Sequence, residues 1–583
     1  MMRGARTLIP LASAALLGVA AVLSSLSAQA AAGYYSPLPP EEPRKEPQER
    51  PRDFWSLSGE EESALALLDS LSDEEVLGQI LMLTYPGDDP PPLLYQWIAR
   101  RALGGVKIFG WNADDTVVLA SAIRGIQEAA ALTAHRIPPF IATDQEGGWI
   151  RHVKGATSVT PGNMAIGATA RPSDAYKSAL FIGRELAALG ITMNFAPTVD
   201  LALRPRGFII GPRAFSADPA ASAAFGAAYV RGMKDAGILA TAKHFPGHGD
   251  TELDSHVVLP VIPVDESTLW DRDLIPYRLM VAEGLSGVMT GHLAFPMITG
   301  DRTPASLSPR LIEGILRGRM GFEGLVVTDD LFMSGAVLPG GFPETSKRAI
   351  MAGNDMLVVS RILDLADEAW NRLIQAYRTD EAFRKRVRES ALRILRAKQA
   401  YLLPKGPAGL IPRAENAANL QSQASRAFFT DHAFRSATVL EGSGLPLVPG
   451  AGGRILLVGS NFDFFSEGLR RYPGAETLRI SVFPGPEVFA SEAEVLATRA
   501  RGARAVIVSV ANASGARMAR TIAGTGVPVY IVSILSPAHA LDAGPAAGSV
   551  AVYSMSRASF EAAFAVLSGV VEGRGILPIS RVP

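Results

Sequence analysis

Nineteen residues, Ala242–Pro260 (AKHFPGHGDTELDSHVVLP), hold three of the chain's eight histidines together with Lys243, Asp250, Glu252 and Asp254. Two chemistries suit such a set. A divalent metal could be held by His244, His248 and His256 with Asp250 or Asp254. The His-x-x-x-His spacing serves zinc when a helix brings both rings to one face. Here Pro246 and Gly247 lie between the first two rings and Gly249 just after, so that face is absent and no metal is expected. The other chemistry is proton transfer. In Asp254-Ser255-His256 a carboxylate can orient and polarise an imidazole, and a histidine so placed gives and recovers a proton near neutral pH. His248 reads as a histidine bonded within its own loop.

These groups need a scaffold to aim them. The run Gly237–Ala242 is apolar and leads into the loop as a strand. Similar runs recur: Gln79–Tyr85, Gly105–Phe109, Phe140–Thr143, Thr192–Pro197, Leu239–Lys243, Gly287–His292, Leu325–Thr328 and Asp355–Ser360. Between them, segments such as Ser173–Leu189 and Asp218–Ala236 are patterned as helices, opening on the N-cap residue types Ser173 and Asp218, with Pro219 suited to a first helical position. Eight buried strands alternating with helices predict a (β/α)8 TIM-type barrel over residues 55–402. An open, doubly wound sheet is the alternative. No glycine-rich dinucleotide fingerprint supports it, and no cofactor is expected.

Most of the runs end in a polar group. Thr143 and Asp144 through Gly148 follow the third, Asn194 and Asp200 the fourth, Lys243 and His244 the fifth, His292 the sixth, and Thr328, Asp329 and Asp330 the seventh. One such residue reads as a helix cap; several in register at the same barrel mouth predict a catalytic pocket.

The remainder of the chain frames this barrel. Glu381–Leu402 is patterned as a long helix, residues 403–430 read as a linker, and residues 431–583 as a smaller α/β sandwich domain with strand-like runs Arg454–Ser460, Ala505–Ala511, Val527–Leu535 and Ser549–Ser554. At the N-terminus Arg3 and Arg6 precede the apolar stretch Leu8–Leu26 and small residues up to Ala31. This predicts a signal peptide over residues 1–30, cleaved after Ala30, and export to the periplasm or beyond. Residues 31–54 are rich in proline and charge and read as a tether. A net charge of −1 gives no field for nucleic acid, and the absence of cysteine excludes disulfides and a thiol nucleophile. Once the signal peptide is removed, no stable membrane insertion is expected.

With these residues in hand, the chain resembles a family 3 glycoside hydrolase of the β-N-acetylglucosaminidase branch, in its two-domain form. The resemblance is carried by Lys243-His244-Phe245-Pro246-Gly247-His248-Gly249-Asp250-Thr251 followed by Asp254-Ser255-His256. Asp144-Gln145-Glu146-Gly147-Gly148, Pro161-Gly162-Asn163-Met164, Gly211-Pro212-Arg213-Ala214-Phe215 and Asp329-Asp330-Leu331-Phe332-Met333 add to it. It implies that Asp329 is the nucleophile with Asp330 a structural neighbour, that His256 is the acid/base, and that Asp254 is its partner. Asp144, Arg213, Lys243 and His244 would hold sugar hydroxyls, and Met333 would line the pocket. One departure is His152, which stands where the branch often has an arginine; Arg151 lies one position earlier.

The implied activity is that of a retaining exo-β-N-acetylglucosaminidase. Its carbohydrate substrates would be terminal β-linked N-acetylglucosamine on peptidoglycan fragments or chito-oligosaccharides. Transfer to phosphate, action on β-glucosides, and a non-catalytic glycan-binding role are the alternatives.

Overall fold

A computed structural model describes residues 53–580 with the exception of 59–60. The expected signal peptide and nearly all of the tether lie outside the described residues. Eight parallel strands form the first sheet: β1 (Leu81–Leu83), β2 (Gly105–Ile108), β3 (Phe140–Thr143), β4 (Met193–Asn194), β5 (Leu239–Phe245), β6 (Gly287–Thr290), β7 (Leu325–Thr328) and β8 (Leu357–Val359). Their order is β8-β1-β2-β3-β4-β5-β6-β7. A parallel bridge between Val327 and Met356 joins β7 to the approach to β8, which closes the ring. Every residue of these strands is buried. One face meets the barrel interior and the other meets helices, so the strands read as continuous apolar runs.

Five of the eight paired strands are shorter than the apolar runs that announce them. Gln79 ends the helix Asp73–Gln79, where its Oε1 accepts from the buried Lys398 Nζ at 2.8 Å. In the fourth run only Met193 and Asn194 pair, and Pro197 has no N–H to offer a ladder. The helix expected to be capped by Ser173 starts at Pro172 with Arg171 at the cap, so Ser173 lies inside its first turn. Asp218 does cap the next long helix, Pro219–Asp235, accepting from Ala221 N at 2.7 Å.

Asp355 ties the barrel shut. Its N–H and that of Met356 donate to Val326 O, and its carboxylate accepts Val326 N at 3.0 Å. The same carboxylate takes Arg317 at 2.6 Å and Arg386 and Arg393 at 3.1 Å each. Burial raises the pKa of Asp355, but these guanidiniums outweigh it and hold the pKa below the usual carboxylate range. Arg386 and Arg393 belong to the helix Glu381–Tyr401, so one buried anion links that helix to the closing strands.

The chain then passes through short helical turns into the helix Gln423–Ser436 and a second sheet. Its strands are β9 (Thr438–Glu441), β10 (Ile455–Gly459), β11 (Glu476–Arg479), β12 (Ala505–Val510), β13 (Val529–Ser533) and β14 (Gly548–Ala551), in the order β9-β14-β13-β12-β10-β11. All pairs are parallel except β9 with β14. Leu457 and Ile507 belong to one hydrophobic cluster and Leu456 and Val506 to another. The period-two alternation therefore fills both faces, giving helices on each side. The edge strands β9 and β11 carry partly exposed residues and too little apolar pattern to stand out in the sequence.

The two lobes share a core. Met164, Ala165, Ile210 and Ala214 of the barrel loops pack with Ala538, Ala551, Tyr553 and Ile579 of the second lobe. Ala217 N donates to Pro578 O at 2.9 Å and Ile576 N to Ala168 O at 2.8 Å. No helix among the described residues is long and apolar enough to cross a membrane.

Replacing Asp355 with Ala leaves three guanidiniums around an empty position, a loss of about 3–5 kcal/mol for a broken buried network. Urea unfolding should show a clearly lowered midpoint for Asp355→Ala and a smaller change for Arg393→Ala, whose side chain is 30% exposed. Equal midpoints for wild type and Asp355→Ala would refute the closing role.

Candidate active site

The C-terminal ends of the strands carry a buried network of opposite charges. Lys107 on β2 and Lys243 on β5 both reach Asp144 just after β3, at 2.9 and 2.5 Å. Lys243 also meets Glu146 at 2.7 Å. Glu146 in turn is held bidentately by Arg213, Nε to Oε2 at 2.9 Å and Nη2 to Oε1 at 2.7 Å. All five side chains are at least nine-tenths buried. Two carboxylates among three cations cannot be separated from water singly, but as a set each has its partner.

The pKa values follow from this balance. Burial raises that of Asp144, but Lys107 and Lys243 overcome it and hold the carboxyl well below its usual range. Burial likewise raises that of Glu146, and Arg213 with Lys243 brings it down to about 2.

Asp200 organises the next layer. It accepts His244 Nδ1 at 2.7 Å and the His248 amide at 2.7 Å. Arg213 Nη2 points at His244 Nε2 from 3.4 Å. A carboxylate only accepts, so the His244 Nδ1–H faces Asp200. The Lys243–His244 and Phe245–Pro246 peptide bonds are cis.

Asp329 leaves β7 into this mouth. Its amide donates to Thr290 O at 3.0 Å, and its Oδ1 accepts the Asp330 amide at 2.8 Å, which fixes the rotation of the carboxylate. Burial pushes its pKa up, but His244, His292 and Lys107 outweigh that and bring it to about 2. Asp329 is thus an anion across the range in which enzymes work. Asp330 faces elsewhere: its Oδ1 accepts the amides of Phe332 and Ser360, both at 3.1 Å. His292 accepts or donates to Ser306 Oγ at 2.8 Å through Nδ1 and meets Asp330 O at 3.0 Å through Nε2. A carbonyl only accepts, so Nε2 carries the proton and His292 braces the turn after Asp329.

The Asp254–His256 pair sits above this buried floor. His256 Nδ1 lies 2.7 Å from Asp254 Oδ1, and the His256 amide donates to the same oxygen at 2.9 Å. Both side chains are about half exposed. The loop is tied to the segment after Asp329, since Ser334 N donates to His256 O and Gly335 N to Ser255 O, at 3.3 Å each. Nδ1 of His256 is occupied by the carboxylate, which leaves Nε2 for proton transfer.

The root of the loop is held by ions. Asp250 accepts Arg204 at 3.0 Å and Arg272 at 3.0 Å. His248 meets Ser255 Oγ at 3.2 Å, and burial pulls its pKa down to about 4. The three histidines of the loop are therefore committed to three different partners. Met333 is buried in the turn after Asp329, where its amide donates to Asp330 O at 3.0 Å.

Several of these groups were not assigned a role from sequence. Lys107 is the clearest, and its signal was a lysine inside the apolar run Gly105–Phe109: a buried ammonium requires a carboxylate. Glu146 stood inside a quoted motif without a role. At the departure noted in sequence, Arg151 turns to Thr157 O at 3.1 Å, while His152 Nδ1 comes within 3.7 Å of Asp144. The position carries a ring whose pKa is lowered by burial.

A parallel barrel with an ionised carboxylate at the end of β7, charged groups on the neighbouring strands and an Asp–His pair above them fits the chemistry of a glycoside hydrolase. Residues 74–397 match the glycosyl hydrolase family 3 N terminal domain, and the chain belongs to this family. A β-hexosaminidase from Thiobacillus denitrificans is 40% identical over 280 residues, covering 46% of this chain and 75% of that protein. β-Hexosaminidase A from Pseudoalteromonas piscicida is 37% identical over 297 residues, 46% of this chain and 50% of that protein, so the chain spans about half its length. The solved structure of a family 3 β-N-acetylglucosaminidase from Paenibacillus sp. FPU-7 superposes with a TM-score of 0.79 at 29% identity, covering 88% of this chain and 99% of that one.

The folded pKa of Glu146 lies below its unfolded value of 4.5. Its contribution to stability is therefore complete above about pH 4.5 and lost as pH falls toward 2. Glu146→Ala, which strands Arg213, should cost about 3–5 kcal/mol at neutral pH. The gap from wild type in urea midpoint should narrow on acidification through that window. A gap independent of pH would count against the ion pair.

Proposed function

We propose that the protein is an exported, retaining exo-β-N-acetylglucosaminidase that removes terminal β-linked N-acetylglucosamine from peptidoglycan fragments or chito-oligosaccharides. The observation that carries this reading is the coexistence of a partly exposed, ionised Asp329 at the barrel mouth with a separate, accessible Asp254–His256 pair. A retaining glycosidase needs one group to attack the anomeric carbon and another to move a proton. Family membership and the β-hexosaminidase and β-N-acetylglucosaminidase relatives support the choice of sugar. Export rests on the N-terminal pattern of basic residues, apolar stretch and small residues.

In the first step His256 gives its Nε2 proton to the glycosidic oxygen as the bond from that oxygen to the anomeric carbon breaks. A carboxylate oxygen of Asp329 forms a bond to the same carbon, and the alcohol leaves. In the second step water attacks that carbon and passes a proton back to His256 while the bond to Asp329 breaks, which restores both groups. Asp254 stabilises the imidazolium whenever His256 is charged. A histidine in this role places no second anion beside the nucleophile. Lys107, Asp144, Lys243 and Arg213 bind sugar hydroxyls with groups already fixed by one another, so little reorganisation accompanies binding.

Asp329→Ala should abolish release of a chromogenic aglycone from a β-N-acetylglucosaminide, and retained turnover would refute the assignment. His256→Ala should lower kcat/KM by about two to four orders of magnitude for substrates with poor leaving groups. It should change activated aryl glycosides far less. Equal losses on both would refute acid catalysis by His256. Running the wild type with and without phosphate, and assaying sugar 1-phosphate against free sugar, identifies the acceptor.

A further inference from the structure

Three aromatic rings from three separate segments meet beside the sugar-holding arginine. Trp149 stands at the tip of the short ribbon formed by Gln145–Gly147 and Ile150–Arg151. Its ring meets Phe208 edge-on at 4.5 Å, and Phe208 meets Phe483 edge-on at 5.9 Å. Phe483 comes from the second lobe, in a loop whose Val482 O accepts Asn512 Nδ2 at 2.8 Å. A row of packed rings in an interior would be covered, yet Phe208 is 48% and Phe483 70% exposed.

Their position relative to the chemistry is set by their chain neighbours. Ile209, next to Phe208, accepts Arg213 Nη1 at 2.8 Å. Gly207, on the other side, lies against Thr251 and Glu252, where a β-carbon would come within 3.2 Å of Glu252 Cα. Thr251 and Glu252 lead into Asp254-Ser255-His256. The row thus lies between the arginine of the charged floor and the loop that bears the proton donor. A group that protonates the glycosidic oxygen must face the leaving group, and the half-exposed Phe208 lies beside the loop that carries it. A β-linked pyranose presents axial C–H bonds on its faces, which pack on aromatic rings, and such rings line many ligand sites.

We propose that Trp149, Phe208 and Phe483 form a leaving-group subsite that stacks the pyranose ring next to the scissile bond, with Phe483 supplied by the second lobe. This rests on the glycosidase reading above and adds what the enzyme recognises beyond the terminal sugar: a saccharide leaving group in preference to a small one.

The test compares two substrates with the same terminal sugar in the full chain: N,N′-diacetylchitobiose and methyl β-N-acetylglucosaminide. Phe483→Ala should lower kcat/KM about five- to tenfold for the disaccharide, mainly through KM, and leave the methyl glycoside within twofold. Phe483→Trp, which keeps a flat ring, should restore most of the loss. Equal effects on the two substrates, or none, would overturn the subsite. So would a lower melting temperature with an unchanged ratio, which would mark Phe483 as packing between lobes. Should the wild type prefer a different 2-substituent, the N-acetylglucosaminidase reading falls. The same pair of leaving groups on that sugar still decides the subsite.

Discussion

A carboxylate cannot be buried among strand ends without a cation, and here two carboxylates and three cations share one small volume. Asp144 is claimed by Lys107 and Lys243, and Glu146 by Lys243 and Arg213. The four segments that carry them, β2, the turn after β3, β5 and the Arg213 loop, come from residues far apart in the chain. None of these side chains can move alone without exposing a buried charge. The mouth of the barrel is therefore rigid where the sugar would bind, and that rigidity is electrostatic in origin. The Asp254–His256 pair, half exposed and outside this network, is the part free to adjust.

The barrel was legible because its strands are buried on both faces and appear as apolar runs at regular intervals. The polar residues after those runs marked the mouth. Lys243, His244, Asp144, Arg213 and Asp329 were read from motifs, and the structure brings these groups to one end of the barrel. What the runs could not show was pairing. A lysine in Gly105–Phe109 announces a partner but not that the partner is Asp144, which depends on how β2 and β3 align. Ser173 looked like a helix cap because capping is judged from residue type, whereas the neighbouring Pro172 decided where the helix begins. Edge strands β9 and β11 escaped notice because half of their residues face solvent.

The second lobe is more than an appendage. Its hydrophobic contacts with Met164, Ile210 and Ala214 cover the very loops that carry Asn163 and Arg213, and Asn163 Nδ2 donates to Arg213 O at 2.8 Å. Arg206, two residues from the Arg204 that holds Asp250, forms a bidentate pair with Asp542 of the second lobe at 2.6 and 2.7 Å. Exposed pairs of this kind contribute little singly. Combined with a shared apolar core they fix the loop between the charged floor and the Asp254–His256 pair. Geometry at the barrel mouth is in this way partly the work of a different sheet.

The bond from Ser216 Oγ to Pro578 O spans 362 positions of sequence. The entropy of closing so long a loop grows only with the logarithm of its length, so the separation itself weakens the fold little. Its effect falls on the rate instead, because contacts between distant positions form slowly. The barrel mouth is thus finished by a slow, long-range closure rather than by its own neighbours in the chain.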